Sequence, residues 1–151
     1  LFERTDHTLK EVCEAYMEYY RDSSGTIALI DCSKIDALAD AMKAVYNEAN
    51  AVDVGMIQPY DNFTYHLYFD LGDYVESVAS GATLENFNKA LSDVVVYSGN
   101  TDTFFTVTGT DDAYIPIEHY SGLSCYILQE TDCPETAKAW RATAWAQRVA
   151  Q

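Results

Sequence analysis

Thirteen residues, Thr26-Ile-Ala-Leu-Ile-Asp-Cys-Ser-Lys-Ile-Asp-Ala-Leu38, require a strand, a sharp junction and a helix start in immediate succession. The run from Ile27 to Ile30 is continuously apolar, which predicts a strand covered on both faces. Ile35, Leu38, Ala39, Met42 and Tyr46 then recur at helical spacing. Ser33 is placed as the N-cap of that helix, with Asp36 three residues later completing a capping box. Cys32 falls between strand end and helix N-terminus, where the helix dipole stabilises a thiolate and where nucleophiles are often held.

Around this stretch the chain alternates helices with isolated strands. Thr8 and Glu11 form a capping box ahead of Leu9, Val12, Cys13, Tyr16 and Tyr20, so a first helix is expected to run to about Arg21 and stop before Ser23-Ser24-Gly25. Residues 50–62 carry Gly55 and Pro59 with little periodicity and read as a loop. Asp70 caps a third helix through Asp73, turning Leu71, Tyr74, Val75 and Val78 inward, with Gly81 just past its end. Thr83 is expected to cap a fourth, with Leu84, Phe87, Leu91, Val94 and Val95 on one face. After Gly99 the texture becomes β: Phe104–Thr108 and Tyr114–Ile117 flank a turn at Gly109-Thr-Asp-Asp112, and Gly122–Leu128 is another apolar strand. A last helix begins near Pro134, a favoured first helical residue, and buries Ala137, Trp140 and Ala144. Residues 1–151 therefore read as a single α+β domain, a helix-rich bundle of about five helices with a few short strands and a β-hairpin.

The 151 residues are enough to bury roughly 68–70% of the surface of the unfolded chain. A formal charge of −15, from 24 acidic against 9 basic residues, argues against nucleic acid or an anionic membrane as partner, since both need cationic patches. No apolar segment is long enough to span a bilayer, and none has signal-peptide flanks. The chain does not begin with Met, so Leu1 reads as the product of processing or trimming. Twelve tyrosines, clustering with Phe in Tyr16, Tyr19, Tyr20, Phe63, Tyr65, Tyr68 and Phe69, suit half-buried seams and interfaces.

Cys13, Cys32, Cys125 and Cys133 lack metal-ligand spacing. Cys13 and Cys125 read as small core residues. Cys133 stays undecided, and a bridge between Cys125 and Cys133 stays open. His66, among Tyr65, Tyr68 and Phe69, and His119, beside Tyr120, read as hydrogen-bonded packing residues; with His7 they complete the histidine inventory. Asp111 and Asp112, with Asp102 nearby, lack the carboxylate spacing of a calcium loop and read as a solvated acidic turn. Asn62-Phe-Thr64 is a glycosylation sequon that acts only in a eukaryotic secretory pathway.

Four segments in order, Ile30-Asp-Cys-Ser-Lys-Ile-Asp-Ala-Leu38, Asp70-Leu-Gly-Asp-Tyr-Val75, Tyr120-Ser-Gly-Leu-Ser-Cys-Tyr-Ile127 and a Trp-bearing helix ending near Trp145, resemble the C-terminal part of clostripain-type cysteine peptidases. The resemblance covers about Thr8 to Trp145. It implies a secreted, periplasmic or cell-surface bacterial peptidase that cleaves after basic residues with a thiolate–imidazole pair. The family's His-Gly and Asp-Ala-Cys segments do not occur here, so both would lie upstream of Leu1. No catalytic, cofactor-binding or metal-ligating residue is carried over, and the substrate-binding residues stay unknown. Cys32 occupies a position that is aliphatic in the family and reads as a small hydrophobe.

The resemblance implies a catalytic N-terminal portion as partner and a polypeptide as the parent's substrate. No cofactor is expected in this chain, and calcium enters only as an open point for the parent. A second reading is a non-catalytic binding or adaptor module of the same fold, recognising a basic polypeptide through the Phe63–Phe69 segment and the acidic surface.

Overall fold

The computed structural model describes residues 6–48, 52–61, 66–108, 111–129 and 132–150. In chain order the elements are α1 (Leu9–Tyr20), β1 (Thr26–Ile30), α2 (Ile35–Glu48), β2 (Phe69–Asp70), α3 (Leu71–Val78), α4 (Gly81–Val94), β3 (Val95–Asn100), β4 (Thr103–Thr108), β5 (Asp111–Pro116), β6 (Ser124–Cys125), α5 (Pro134–Arg141) and α6 (Ala144–Val149). Six helices and three two-stranded antiparallel sheets, β1–β3, β2–β6 and β4–β5, make an α+β fold among the described residues. The expected last helix is divided: Thr143 interrupts it and caps α6 by accepting the Ala146 N–H at 3.1 Å. That break leaves Ala144 exposed, against the sequence expectation, and turns Ala146 and Val149 inward instead.

The capping box of α1 forms as read from sequence: the Thr8 hydroxyl accepts the Glu11 N–H at 3.2 Å, and the Glu11 carboxylate accepts the Thr8 N–H at 2.7 Å. The junction after β1 is built differently from the expectation. Asp31, not Ser33, is the cap, accepting the Ser33 N–H at 2.9 Å and the Ser33 hydroxyl at 2.6 Å. A short carboxylate two residues ahead of that N–H closes a 3-10 turn, Cys32–Lys34, before α2 begins at Ile35. Thr83 likewise is not a cap; it lies inside α4 and donates to Glu48 at 2.6 Å, tying α4 to α2.

β3 was not expected. Val94-Val95-Val96 is β-branched, which weakens a helix and favours a strand, so α4 stops at Val94 and the chain continues extended. Half-buried Val95, Tyr97 and Gly99 alternate with exposed Val96, Ser98 and Asn100, the period of a one-faced strand. β3 pairs with β1 in the register Ile27↔Gly99 and Leu29↔Tyr97, with an irregularity between Leu29 and Ile30. β1 is therefore not sealed on both faces: all five of its residues keep partial exposure. α1 packs across this pair.

α2 supplies Leu38, Met42 and Val45 to the core, where they meet Phe69, Val75 of α3, Phe87 of α4 and Val149 of α6. The hairpin β4–β5 pairs Thr108 with Asp111. Asp111 and Asp112 thus belong to a strand and not to the turn in which the sequence placed them, while residues 109–110 lie outside the described residues. The expected strand over Gly122–Leu128 shortens to Ser124–Cys125, because β2, its strand partner among the described residues, is itself two residues long.

Candidate functional site

Cys32 is exposed in the 3-10 turn, and Cys13 is buried beneath α1 at 5% exposure. All four cysteines are free, so no bridge joins Cys125 to Cys133. Burial pushes the Cys125 thiol up to about 12. Cys133, exposed at the N-cap of α5, lies 3.0 Å from the Thr136 hydroxyl, which with the Thr136 N–H lowers its thiol below the ordinary value. Each histidine faces a carboxylate: His7 Nδ1 lies 3.8 Å from Glu11, His66 Nδ1 3.0 Å from Asp61 and His119 Nδ1 3.8 Å from Asp73. Among the described residues no imidazole is hydrogen-bonded to a thiol, and no group of three or more His, Cys, Asp or Glu side chains converges as a metal site would require. The sequon Asn62–Thr64, with Phe63 and Tyr65 of the aromatic segment, lies outside the described residues.

The polar centre of the molecule is Asp70, only 1% exposed. It caps α3 as the sequence predicted, its Oδ1 accepting the Asp73 N–H at 2.9 Å. Its Oδ2 accepts the Ser121 N–H at 2.7 Å and lies 2.9 Å from both the Ser121 and Tyr60 hydroxyls. The Tyr60 hydroxyl has a second acceptor, the His119 carbonyl, at 2.7 Å. One carboxylate thus fastens β2, α3, Tyr60 and Ser121, and no lysine or arginine among the described residues pairs with it.

Beside it, Asp73 accepts the backbone N–H of Gln58 at 2.6 Å. The buried Gln58 side chain donates to the Pro116 carbonyl at 3.0 Å and accepts the Glu118 N–H at 2.7 Å, holding the end of the hairpin. Gly72 permits the close approach, because a Cβ there would stand 2.7 Å from Ser121 Cβ. Gly122 turns the chain away at φ +86°, where a side chain would meet Val95 at 2.8 Å.

Sequence reasoning found Asp70 through its cap pattern but not Gln58, Tyr60 or Ser121 as its companions. They come from segments separated by up to about sixty residues, and the only sequence signal was that Ser121 lies within one of the four family-like segments.

Two clefts adjoin this centre. One, of about 300 Å³, runs between Met56–Pro59 and Ile115–His119 and contains Asp73 and Glu118. The other, of about 290 Å³, is walled by Tyr60, Tyr68, Phe104 and Tyr120. Burial, and then the Asp70 charge, raises the Tyr60 phenol above its ordinary value, and burial raises that of Tyr120. An apolar cavity of about 280 Å³ lies elsewhere, between Ile35 and Leu38 of α2 and Trp140 and Trp145.

No protein-family model and no curated protein matches the sequence. Among solved structures the fold is that of C11, clostripain-type cysteine proteases, in line with the resemblance read from the four segments. An inactive zymogen C11 protease from Parabacteroides distasonis is similar over 93% of this chain, with TM-score 0.86 and 26% identity, and 43% of its own length is covered. A clostripain from Bacteroides thetaiotaomicron bound to a peptide inhibitor aligns with 98% of the chain at TM-score 0.81 and 24% identity, with 66% of its length covered. A secreted C11 cysteine protease from the same organism, bound to an irreversible peptide inhibitor, aligns with 97% at TM-score 0.83 and 18% identity, with 45% covered. The last two identities speak to the fold alone. The chain spans 43–66% of the length of these structures.

Proposed function

We propose that this chain is the non-catalytic C-terminal portion of a clostripain-like cysteine endopeptidase that cleaves after basic residues, with the His and Cys of its dyad in the sequence before Leu1. The observation that carries this reading is the coverage: nearly all of the chain aligns with the P. distasonis protease, but only 43% of that protease is covered. That no imidazole among the described residues is hydrogen-bonded to a thiol supports it, since general-base activation of a thiol needs hydrogen-bond reach of about 2.6–3.2 Å.

Residues 1–151 act in this proposal as one domain that scaffolds the catalytic portion. β1 and β3 each pair on one side only among the described residues, and an open edge of half-buried apolar residues is a template for strand addition. The parent is a bacterial protein acting outside the cytoplasm, at the surface, in the periplasm or secreted; one similar protease is secreted, and no helix among the described residues is long and apolar enough to cross a membrane.

The test is direct. The purified chain is assayed with peptides bearing Arg or Lys before the scissile bond, and the gene is sequenced upstream of the Leu1 codon. No hydrolysis, with His-Gly and Asp-Ala-Cys segments upstream, is the expected result. Iodoacetamide-sensitive cleavage by the chain alone would overturn it and return Cys32 to consideration.

A further inference from the structure

The cleft beside Asp70 has a composition that scaffolding does not call for. Half of its lining is aromatic, from Tyr60, Tyr68, Phe104 and Tyr120, and the rest comes from Thr26 and residues 122–124. Tyr60 stands at 62° to Phe104 with ring centroids 5.9 Å apart, and at 78° to Tyr120 with centroids 6.1 Å apart. Edge-to-face contacts of this kind leave the faces of the edge-on rings uncovered by their partners. Behind Tyr60, 2.9 Å from its hydroxyl, lies the Asp70 carboxylate, held by neutral donors and paired with no lysine or arginine among the described residues. The cleft therefore combines ring quadrupoles with an uncompensated buried negative charge.

We propose that this cleft binds an alkylammonium group, either the head of a lysine side chain on a polypeptide or a free quaternary ammonium compound, held by the faces of Tyr60, Tyr68, Phe104 and Tyr120 and by the field of Asp70. A guanidinium is the poorer fit. Its planar fork needs a free bidentate acceptor, and both Asp70 oxygens are already engaged. An anion meets the same carboxylate and a chain of formal charge −15. A neutral apolar ligand gains nothing from Asp70. The cleft lies within this chain, so the proposal does not rest on the peptidase reading.

Saturation-transfer NMR and tyrosine ring shifts on the 151-residue chain provide the readout. The probes are tetramethylammonium and N-acetyl-lysine methylamide, against the neutral isosteres neopentyl alcohol and N-acetyl-norleucine methylamide. Saturable binding of a cation well above its isostere is expected, weakening as salt is added. Stronger binding of the lysine derivative assigns a polypeptide as the source, and stronger binding of tetramethylammonium assigns a small onium compound.

Phe104→Leu should weaken the cation by about 3- to 10-fold. Phe105→Leu on the opposite face of the same strand should leave it unchanged, because Phe105 is 40% exposed and packs on Tyr114 instead. Should Phe104→Leu fail the folded-state control, Tyr68→Leu serves, since Tyr68 is 52% exposed. Equal affinity for cations and isosteres, no saturable binding, or equal loss from the Phe104 and Phe105 substitutions would each overturn the proposal.

Discussion

Asp70 shows how one side chain can carry several structural duties. Its carboxylate is the helix cap of α3, the acceptor for the Ser121 N–H and a hydrogen-bond neighbour of Tyr60. Asp70→Ala leaves one buried and one part-buried backbone donor without an acceptor, so a loss of about 3 kcal/mol is expected in urea unfolding; a change under about 1 kcal/mol would mean that water replaces the carboxylate. The thiols differ for equally local reasons. Thr136 lowers Cys133, whereas burial raises Cys125 to about 12. Peptide mapping after brief iodoacetamide treatment of the native chain should find Cys133 labelled and Cys125 spared. The Cys133 pH–rate midpoint should lie below that of a free thiol and rise in Thr136→Ala. The caps at Thr8 and Asp70 were legible in the sequence because capping is local. Gln58 and Tyr60 were not, because their partners lie in distant segments.

At the scale of elements, periodicity located the helices well and their ends less well. Leu38, Ala39 and Met42 are buried as their spacing predicts. The division between α4 and β3 was missed because Val94, Val95 and Val96 satisfy an apolar helix face as readily as a strand, and only the pairing with β1 decides. Asp31 was overlooked because a 3-10 turn places the cap two residues ahead of the N–H it satisfies, not three. Phe87, at 0% exposure, joins α4 to the core shared with α2. Phe87→Ala should cost about 3–5 kcal/mol in urea unfolding, and Phe87→Leu much less, since the cost follows the cavity left behind. A smaller penalty for the alanine variant would show that α2 and α4 close over the space.

For the molecule as a whole, the sequence disclosed the α+β class and the likeness to clostripain-type proteases, because four motif segments keep their order over most of the chain. It did not disclose the sheets as separate pairs, since strand partnership depends on contacts across the fold. Tyrosine burial has a global consequence. The phenols of Tyr46, Tyr60, Tyr74 and Tyr120 are raised above the ordinary value, chiefly by burial. Each favours the folded state while neutral; that contribution is fully present below the unfolded tyrosine value of about 10 and is lost as pH rises through the higher folded values. The urea midpoint should therefore hold as pH approaches 10 and then fall. Ultraviolet titration showing these four phenols ionising in the folded chain at the ordinary value would contradict this.

The bond between Asp70 and Ser121 closes a loop of 51 residues in sequence. That span contains α3, α4, β3 and the hairpin, so its ends meet only after most of the chain between them has been ordered, or at the entropic cost of closing a long loop. The lock is consequently expected to be absent from the folding transition state. In stopped-flow experiments Ser121→Ala, which removes the hydroxyl from Asp70 and from the Gly72 N–H, should accelerate unfolding while leaving the refolding rate nearly unchanged. The same contact that organises the finished molecule would then act as a latch on its lifetime and leave its speed of assembly untouched.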